Sequence, residues 1–254
     1  MNERLAGRVA IVTGAGHGLG RAYAARLAAA GARVAVFDLD GDSALAAARS
    51  LGEGAAAYPL DVSDPGQVGP AVDAVLGRWG RVDALVNNAG GALLPTAPFD
   101  TYSLEQWQRV LAVNLTGPWV CAVAVAAPMR AAGYGKIVNV SSTTVSTARP
   151  AGLAPYISAK SGVVGLTRAL ARELGPHHVC VNAIAPGYIP VDTPKAVHSP
   201  QAAAAVRDAV VAEQCLQQVG TPNDLCGTVE FLCSADSDFL TGQVLNVDGG
   251  WTHT

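Results

Sequence analysis

Along this chain, short runs rich in β-branched and small apolar residues alternate with longer stretches whose apolar positions recur at helical spacing. RVAIVTG (8–14), ARVAVFD (32–38), GAAAYPLD (54–61), VDALVNNAG (82–90), GKIVNVSS (135–142), VCVNAIAPG (179–187) and GQVLNVDGG (242–250) read as strands. Helical patterns fill 18–30, 42–52, 65–79, 103–132, 154–174 and 222–234, with a further one in 199–217. Strands that are apolar on both faces and linked through helices imply a parallel sheet covered on both sides. The expectation is a doubly wound α/β fold, a seven-stranded parallel sheet in one domain spanning 1–254. Ser103, Asp64 and Thr221 are placed to cap helices, with Pro65 and Pro222 in first-turn positions. In such a sheet ligands sit at the carboxyl ends of the strands where the winding reverses, so function is sought there.

Composition narrows the partners. The chain has 254 residues, half of them apolar, and a formal net charge of −3. Its 17 basic residues are scattered, which leaves no electrostatic footprint for nucleic acid or an anionic membrane. Met1–Arg8 is too polar and short for a secretory signal, and no apolar run approaches the roughly 18 residues that would span a bilayer. A soluble, cytoplasmic protein acting on small molecules is expected. Cys121, Cys180, Cys215, Cys226 and Cys233 lie far apart with neither a CxxC pair nor clustered histidines, so they read as reduced core residues and no metal site is expected.

The first strand ends in TGAGHGLG (13–20), and a helix follows at once. Gly14, Gly18 and Gly20 let the backbone turn tightly and approach a pyrophosphate, whose charge the helix amides favour. The spacing is GxxxGxG rather than GxGxxG, in the strand–loop–helix setting that a dinucleotide requires. Asp38 ends the second strand, where a carboxylate accepts hydrogen bonds from the adenosine ribose diol and repels a 2′-phosphate. With no Arg or Lys at position 39 and a histidine at 17, NAD is expected over NADP.

PYISAK (155–160) places a tyrosine four residues ahead of a lysine. Pro155 suits the first position of a helix, so Tyr156 and Lys160 fall one turn apart on the same face. Acid–base work by a phenol near neutrality requires stabilising its anion by about 3–4 kcal/mol. An ammonium about 4 Å away in an effective dielectric near 20 contributes on the order of 4 kcal/mol. YxxxK alone is common in helices. It gains weight from the strand-end NVSST (139–143) and NNAG (87–90), and from Asn114 in VNLTGP.

Taken in order, TGxxxGxG, NNAG, the mid-chain Asn, the strand-end Ser, YxxxK, PG and the closing TGQVLNVDGG resemble the short-chain dehydrogenase/reductase family over residues 5–250. The resemblance implies a Rossmann-type fold and hydride transfer between NAD and a secondary alcohol, sugar hydroxyl or the matching ketone. It implies that Tyr156 is the general acid/base, that Lys160 lowers its pKa and bonds the nicotinamide ribose, that Ser142 holds the substrate oxygen and that Asn114 supports a water-linked proton relay. The cofactor set it implies is Gly14, His17, Gly18, Leu19 and Gly20 in the loop, Asp38 at the ribose, Asp61 and Val62 beside the adenine, Asn88, Ala89 and Gly90, then Pro186, Gly187 and Ile189 at the nicotinamide half. It also implies a homotetramer built through the helical regions 103–132 and 154–174.

Two features depart from the family pattern. Ser142 and Tyr156 are 14 apart, one more than usual, so either the 143–155 connection holds an extra residue or Thr143 takes the serine's place. Val191 stands where PGxxxT has its threonine, which leaves Thr193 as a substitute contact. The substrate pocket is expected from 91–96, 143–153 and the loop-helix region 188–216, with Tyr188, Arg149, Lys195 and His198 as polar candidates. Trp251 reads as a packing residue at a subunit contact. A nucleotide-binding regulatory protein without turnover would show damage among Ser142, Tyr156 and Lys160, and all three are present.

Overall fold

Seven strands, Val9–Thr13 (β1), Arg33–Asp38 (β2), Ala55–Pro59 (β3), Ala84–Asn87 (β4), Gly135–Val140 (β5), Val179–Pro186 (β6) and Val244–Val247 (β7), pair in parallel in the order β3-β2-β1-β4-β5-β6-β7. The computed structural model describes residues 4–191 and 200–253. The helices are Gly18–Ala29 (α1), Gly41–Leu51 (α2), Pro65–Trp79 (α3), Leu104–Leu111 (α4), Gly117–Ala132 (α5), Thr144–Thr147 (α6), Ala154–Leu174 (α7), Pro200–Glu213 (α8) and Pro222–Cys233 (α9). The winding reverses between β1 and β4, which opens a crevice at their carboxyl ends.

Successive strand residues point to opposite faces, and the apolar strands feed two separate cores. Ala10, Val12, Val34, Val36, Val86 and Ile184 pack on one side with Tyr23, Ala24 and Leu27 of α1 and Leu225 and Val229 of α9. Val9, Ile11, Phe37, Leu85, Ile137 and Val181 pack on the other with Val68 and Val72 of α3, Val125 and Met129 of α5, and Leu174 of α7. Both faces being covered is why these strands read as unbroken apolar runs.

Local signals set the helix ends. Ser103 and Gln106 form a reciprocal capping box at α4, and the Asp64 carboxylate accepts from the Gly66 amide at α3. At α9 it is Asp224 that accepts from the Thr221 amide and hydroxyl.

Three expectations need correction. The region 103–132 is not one regular helix, because a π-helical turn over Ala112–Thr116 separates α4 from α5. The stretch Leu104–Ala132 is, by length and mean hydropathy (1.8), long and apolar enough to cross a bilayer, contrary to the reading of the sequence. Val120, Cys121, Val125 and Met129 on it belong to the second core, as expected for a helix layered on a sheet. Cys121, Cys180, Cys226 and Cys233 are buried, but Cys215 is exposed, its Sγ 3.8 Å from Nε2 of His253.

At the sheet's amino end, opposite the crevice, the buried Asp83 carboxylate accepts from Arg8 (2.8 Å), Arg81 (2.7 Å) and the Val9 amide (2.9 Å). Asp83→Ala orphans the buried Val9 N–H and removes charged hydrogen bonds, so it is expected to cost about 2–3 kcal/mol in urea unfolding. Function of the folded protein should be unchanged, because the cluster is remote from the crevice.

Candidate active site

The carboxyl ends of β1, β4, β5 and β6 surround a cavity of about 370 Å³. Gly14, His17, Gly18, Leu19, Asp38, Asn88, Ala89, Gly90, Ser142, Tyr156, Lys160, Pro186, Gly187 and Ile189, all singled out from the sequence, line it together with Gly91, Val140, Ser141 and Val191.

The glycine loop has no room for side chains at two points. Gly14 has φ 61°, and a Cβ there would lie 2.8 Å from Cα of Ala89; a Cβ on Gly20 would collide with the Gly14 carbonyl oxygen. Gly20 therefore acts in packing rather than at the cavity surface. The start of α1 carries no side-chain cap, which leaves its first amides to an anion.

Asp38 is buried, with Oδ2 accepting from the Gly16 amide (2.8 Å) and Oδ1 from the Asp40 amide (3.0 Å). A carboxylate has about four acceptor positions, so two remain for a diol. His17 lies beside it, Nδ1 3.9 Å from Asp38 Oδ2 and Nε2 3.6 Å from Asp40 Oδ2. An uncapped helix start, a glycine cradle and a fixed carboxylate together fit a dinucleotide. Asp61 and Val62 follow β3, next to β2, outside the cavity lining; Asp61 accepts from Ser63 (2.8 Å) and Val62 is buried against Gly117.

Tyr156 and Lys160 occupy the first two turns of α7, as the spacing predicts. Lys160 is buried, and Nζ donates to the Val140 carbonyl (2.8 Å) while lying 5.7 Å from the centre of the Tyr156 ring. Burial brings the Lys160 pKa down to about 8. Burial raises the Tyr156 phenol above its ordinary range, and a hydrogen bond from Ser142 pulls it partway back. The balance thus differs from that expected of the pair alone: dehydration of the phenol outweighs the hydrogen bond from Ser142.

Ser142 Oγ accepts from the Thr144 amide (3.2 Å) and hydroxyl (3.0 Å), which leaves its own proton to give to an oxygen in the cleft. The neighbouring hydroxyls are committed elsewhere: Ser141 donates to the Lys160 carbonyl (3.1 Å) and Thr143 to the Pro186 carbonyl (3.1 Å).

Asn114 sits in the π-helical turn, fully buried. Its Nδ2 donates to the carbonyls of Val110 (3.0 Å) and Gly91 (3.0 Å), and its Oδ1 accepts from the Gly91 amide (2.9 Å). The side chain thereby fastens the Gly90–Gly91 backbone. A Cβ on Gly90 would collide with Asn114 Oδ1 and reach within 3.6 Å of Lys160 Nζ. Thr193, Lys195 and His198 lie outside the described residues.

Two supports were missed by the sequence reading. Thr13 Oγ1 accepts from the amides of Asn88 (3.0 Å) and Ala89 (3.0 Å), while Asn88 Nδ2 donates to the carbonyls of Thr13 (3.0 Å) and Gly14 (3.2 Å). Together they tie the glycine loop to β4; the signal was the threonine directly before Gly14. Beneath them, Asn87 donates to Asn139 Oδ1 (2.9 Å) and Asn139 to Thr167 (2.9 Å), a buried polar chain joining β4, β5 and α7.

Comparison with known proteins agrees with this geometry. Residues 14–252 match the family model described as enoyl-(acyl carrier protein) reductase. The chain is 39% identical to a cyclohexanol dehydrogenase of Rhodococcus sp. (strain TK6), over 100% of this chain and 99% of the relative. It is 38% identical to a D-threitol dehydrogenase of Mycolicibacterium smegmatis, over 98% and 94% respectively. A crystal structure of a short-chain type dehydrogenase/reductase from Mycobacterium marinum superposes with a TM-score of 0.89 at 33% identity, covering 100% of this chain and 98% of that one. Such end-to-end likeness in sequence and fold places the chain in the short-chain dehydrogenase/reductase family.

Proposed function

We propose that the protein is a cytoplasmic NAD-dependent oxidoreductase interconverting a secondary alcohol, or a sugar hydroxyl, with its ketone or lactone. The observation that carries this reading is the convergence of Ser142, Tyr156 and Lys160 on the cavity that also holds the glycine loop and Asp38. When bound, a nicotinamide dinucleotide supplies the hydride acceptor or donor, and its oxidised ring brings a positive charge.

The chain's own groups handle the proton. Ser142 donates to the substrate oxygen and keeps it beside Tyr156, whose phenolate takes the hydroxyl proton in oxidation and whose phenol returns it in reduction. Lys160, held by Val140, stabilises the phenolate and carries the nicotinamide ribose. Asn114 fixes the backbone behind Lys160 and supports a water-linked path for the proton. Asp38 sets the preference for NAD over NADP, and Asp61 and Val62 flank the adenine. In this reading the loop-helix region 188–216 contributes to the substrate pocket, and Thr193 contacts the nicotinamide.

Beside Tyr156, the side chains of Ala92, Leu94, Leu153 and Pro155 close around a gap too small to admit a water. Tyr102, also at that gap, has its hydroxyl within hydrogen-bond distance of the carbonyls of Gly152 (2.7 Å) and Pro95 (2.9 Å) and the amide of Ala97 (3.1 Å). The relative named cyclohexanol dehydrogenase makes an alicyclic alcohol the first substrate to test.

A homotetramer accompanies this reading, because Leu104 of α4 (64% exposed) and Trp119 and Val123 of α5 (51% and 54%) present apolar surface to solvent. Light scattering should give the tetramer mass, and Trp119→Glu combined with Val123→Glu should give a smaller species.

Turnover of cyclohexanol with NAD is the direct assay. Tyr156→Phe should lower kcat by about 10²–10⁴-fold, and an unchanged rate would remove Tyr156 as the base. Oxidation requires the phenolate, so kcat/KM rises with pH; Lys160→Met should move that limb to higher pH. Asp38→Ser should raise the NADP-to-NAD ratio of kcat/KM about tenfold or more, measured on both cofactors.

A further inference from the structure

Away from the residues that line the cavity, three segments distant in sequence meet at one carboxylate. Glu213, at the end of α8, accepts two hydrogen bonds from Arg149 Nη1 (2.8 Å to each oxygen) and one from the Trp251 indole N–H (2.9 Å). Arg149 lies in the connection between Ser142 and Tyr156, the one with the extra residue. That connection holds the short α6 and a left-handed turn at Ala148 (φ 53°), then reaches Gly152, whose carbonyl accepts from the Ala97 amide (3.2 Å). Leu153 and Pro155 follow and lead directly into Tyr156 at the start of α7.

The other partner is equally fixed. The buried Asp248 carboxylate accepts from the amides of Gly250 (3.0 Å), Trp251 (3.3 Å) and Thr252 (2.9 Å) and from the Thr252 hydroxyl (2.6 Å). This folds the chain after β7 into a turn that presents the indole to Glu213, and the Leu216 amide donates to the Gly249 carbonyl (2.8 Å) alongside.

We propose that Glu213 is a positioning residue: by joining Arg149 to Trp251 it holds the Ser142–Tyr156 connection, whose two ends line the cleft, in register with the chain after β7. The Arg149 and Glu213 side chains are 63% and 49% exposed, so the ion pair adds little to global stability, and its effect falls on the loop it anchors. Hydrogen bonds from Trp251 and then from Arg149 hold the Glu213 carboxyl below the usual carboxylate range, in keeping with a charge both partners use.

The inference rests on the oxidoreductase reading for its kinetic consequence but not for its structural one. In Glu213→Gln, Arg149→Gln and Trp251→Phe, amide hydrogen exchange followed by mass spectrometry should quicken in 147–153 and 249–253, with an unchanged unfolding midpoint. KM for cyclohexanol should rise roughly two- to fivefold, the range of a solvated ion pair, while kcat and KM for NAD stay as in the wild type. The wild-type KM should rise with salt and that of Glu213→Gln should not; exchanging the charges, Arg149→Glu with Glu213→Arg, should restore part of the salt dependence. Exchange and KM identical to wild type in all three variants would overturn the proposal. A wild type that turns over no alcohol, yet shows the exchange difference, would sink the oxidoreductase reading and leave the anchoring role standing.

Discussion

Lys160 Nζ gives a hydrogen bond to the Val140 carbonyl at 2.8 Å, and both residues are buried. A lysine on a helix surface would sample many rotamers and stay hydrated. Here the last residue of β5 offers a carbonyl directed at the cleft, and the side chain is held on it. That bond sets where the positive charge stands relative to Tyr156, Gly90 and the cavity floor. Burial then makes the charge costly, and the pKa near 8 records that cost. The cleft thus sets a lysine whose charge is costly beside a phenol that burial makes hard to ionise.

The remainder of the cleft is fastened largely by backbone partners. Asn114 grips Gly91 and Val110, Asn88 grips Thr13 and Gly14, and Asp38 grips Gly16 and Asp40. The π-helical turn belongs to this set, since interrupting the regular hydrogen-bond ladder frees the Val110 carbonyl for a side-chain amide. Side chains that bond main chain fix loops without depending on long, flexible partners. The cavity thus keeps its form through side chains bonded to the main chain.

Much of this was legible in the sequence, for physical reasons. Strands buried on both faces leave unbroken apolar runs, so all seven appeared within a few residues of their observed bounds. Tyr156 and Lys160 could be paired because both lie on one helix, where spacing alone decides which face they share. That Thr143 turns its hydroxyl to Pro186 on the neighbouring strand, whereas Ser142 faces the cavity, could be read only once register was known. Thr13, Thr144 and the Asn87–Asn139–Thr167 chain were invisible because their meaning depends on which strand lies alongside. Glu213 was hidden more deeply, since its partners stand 64 and 38 residues away. The π-helical turn has no composition signal, and an apolar stretch conceals it.

The parity of the strands has a consequence for how such a chain can change over time. Even-numbered positions of β1 face the layer of α1 and α9, and odd-numbered ones face that of α3, α5 and α7. The two layers share a backbone but almost no side-chain contacts, so replacements in one need not be answered by replacements in the other.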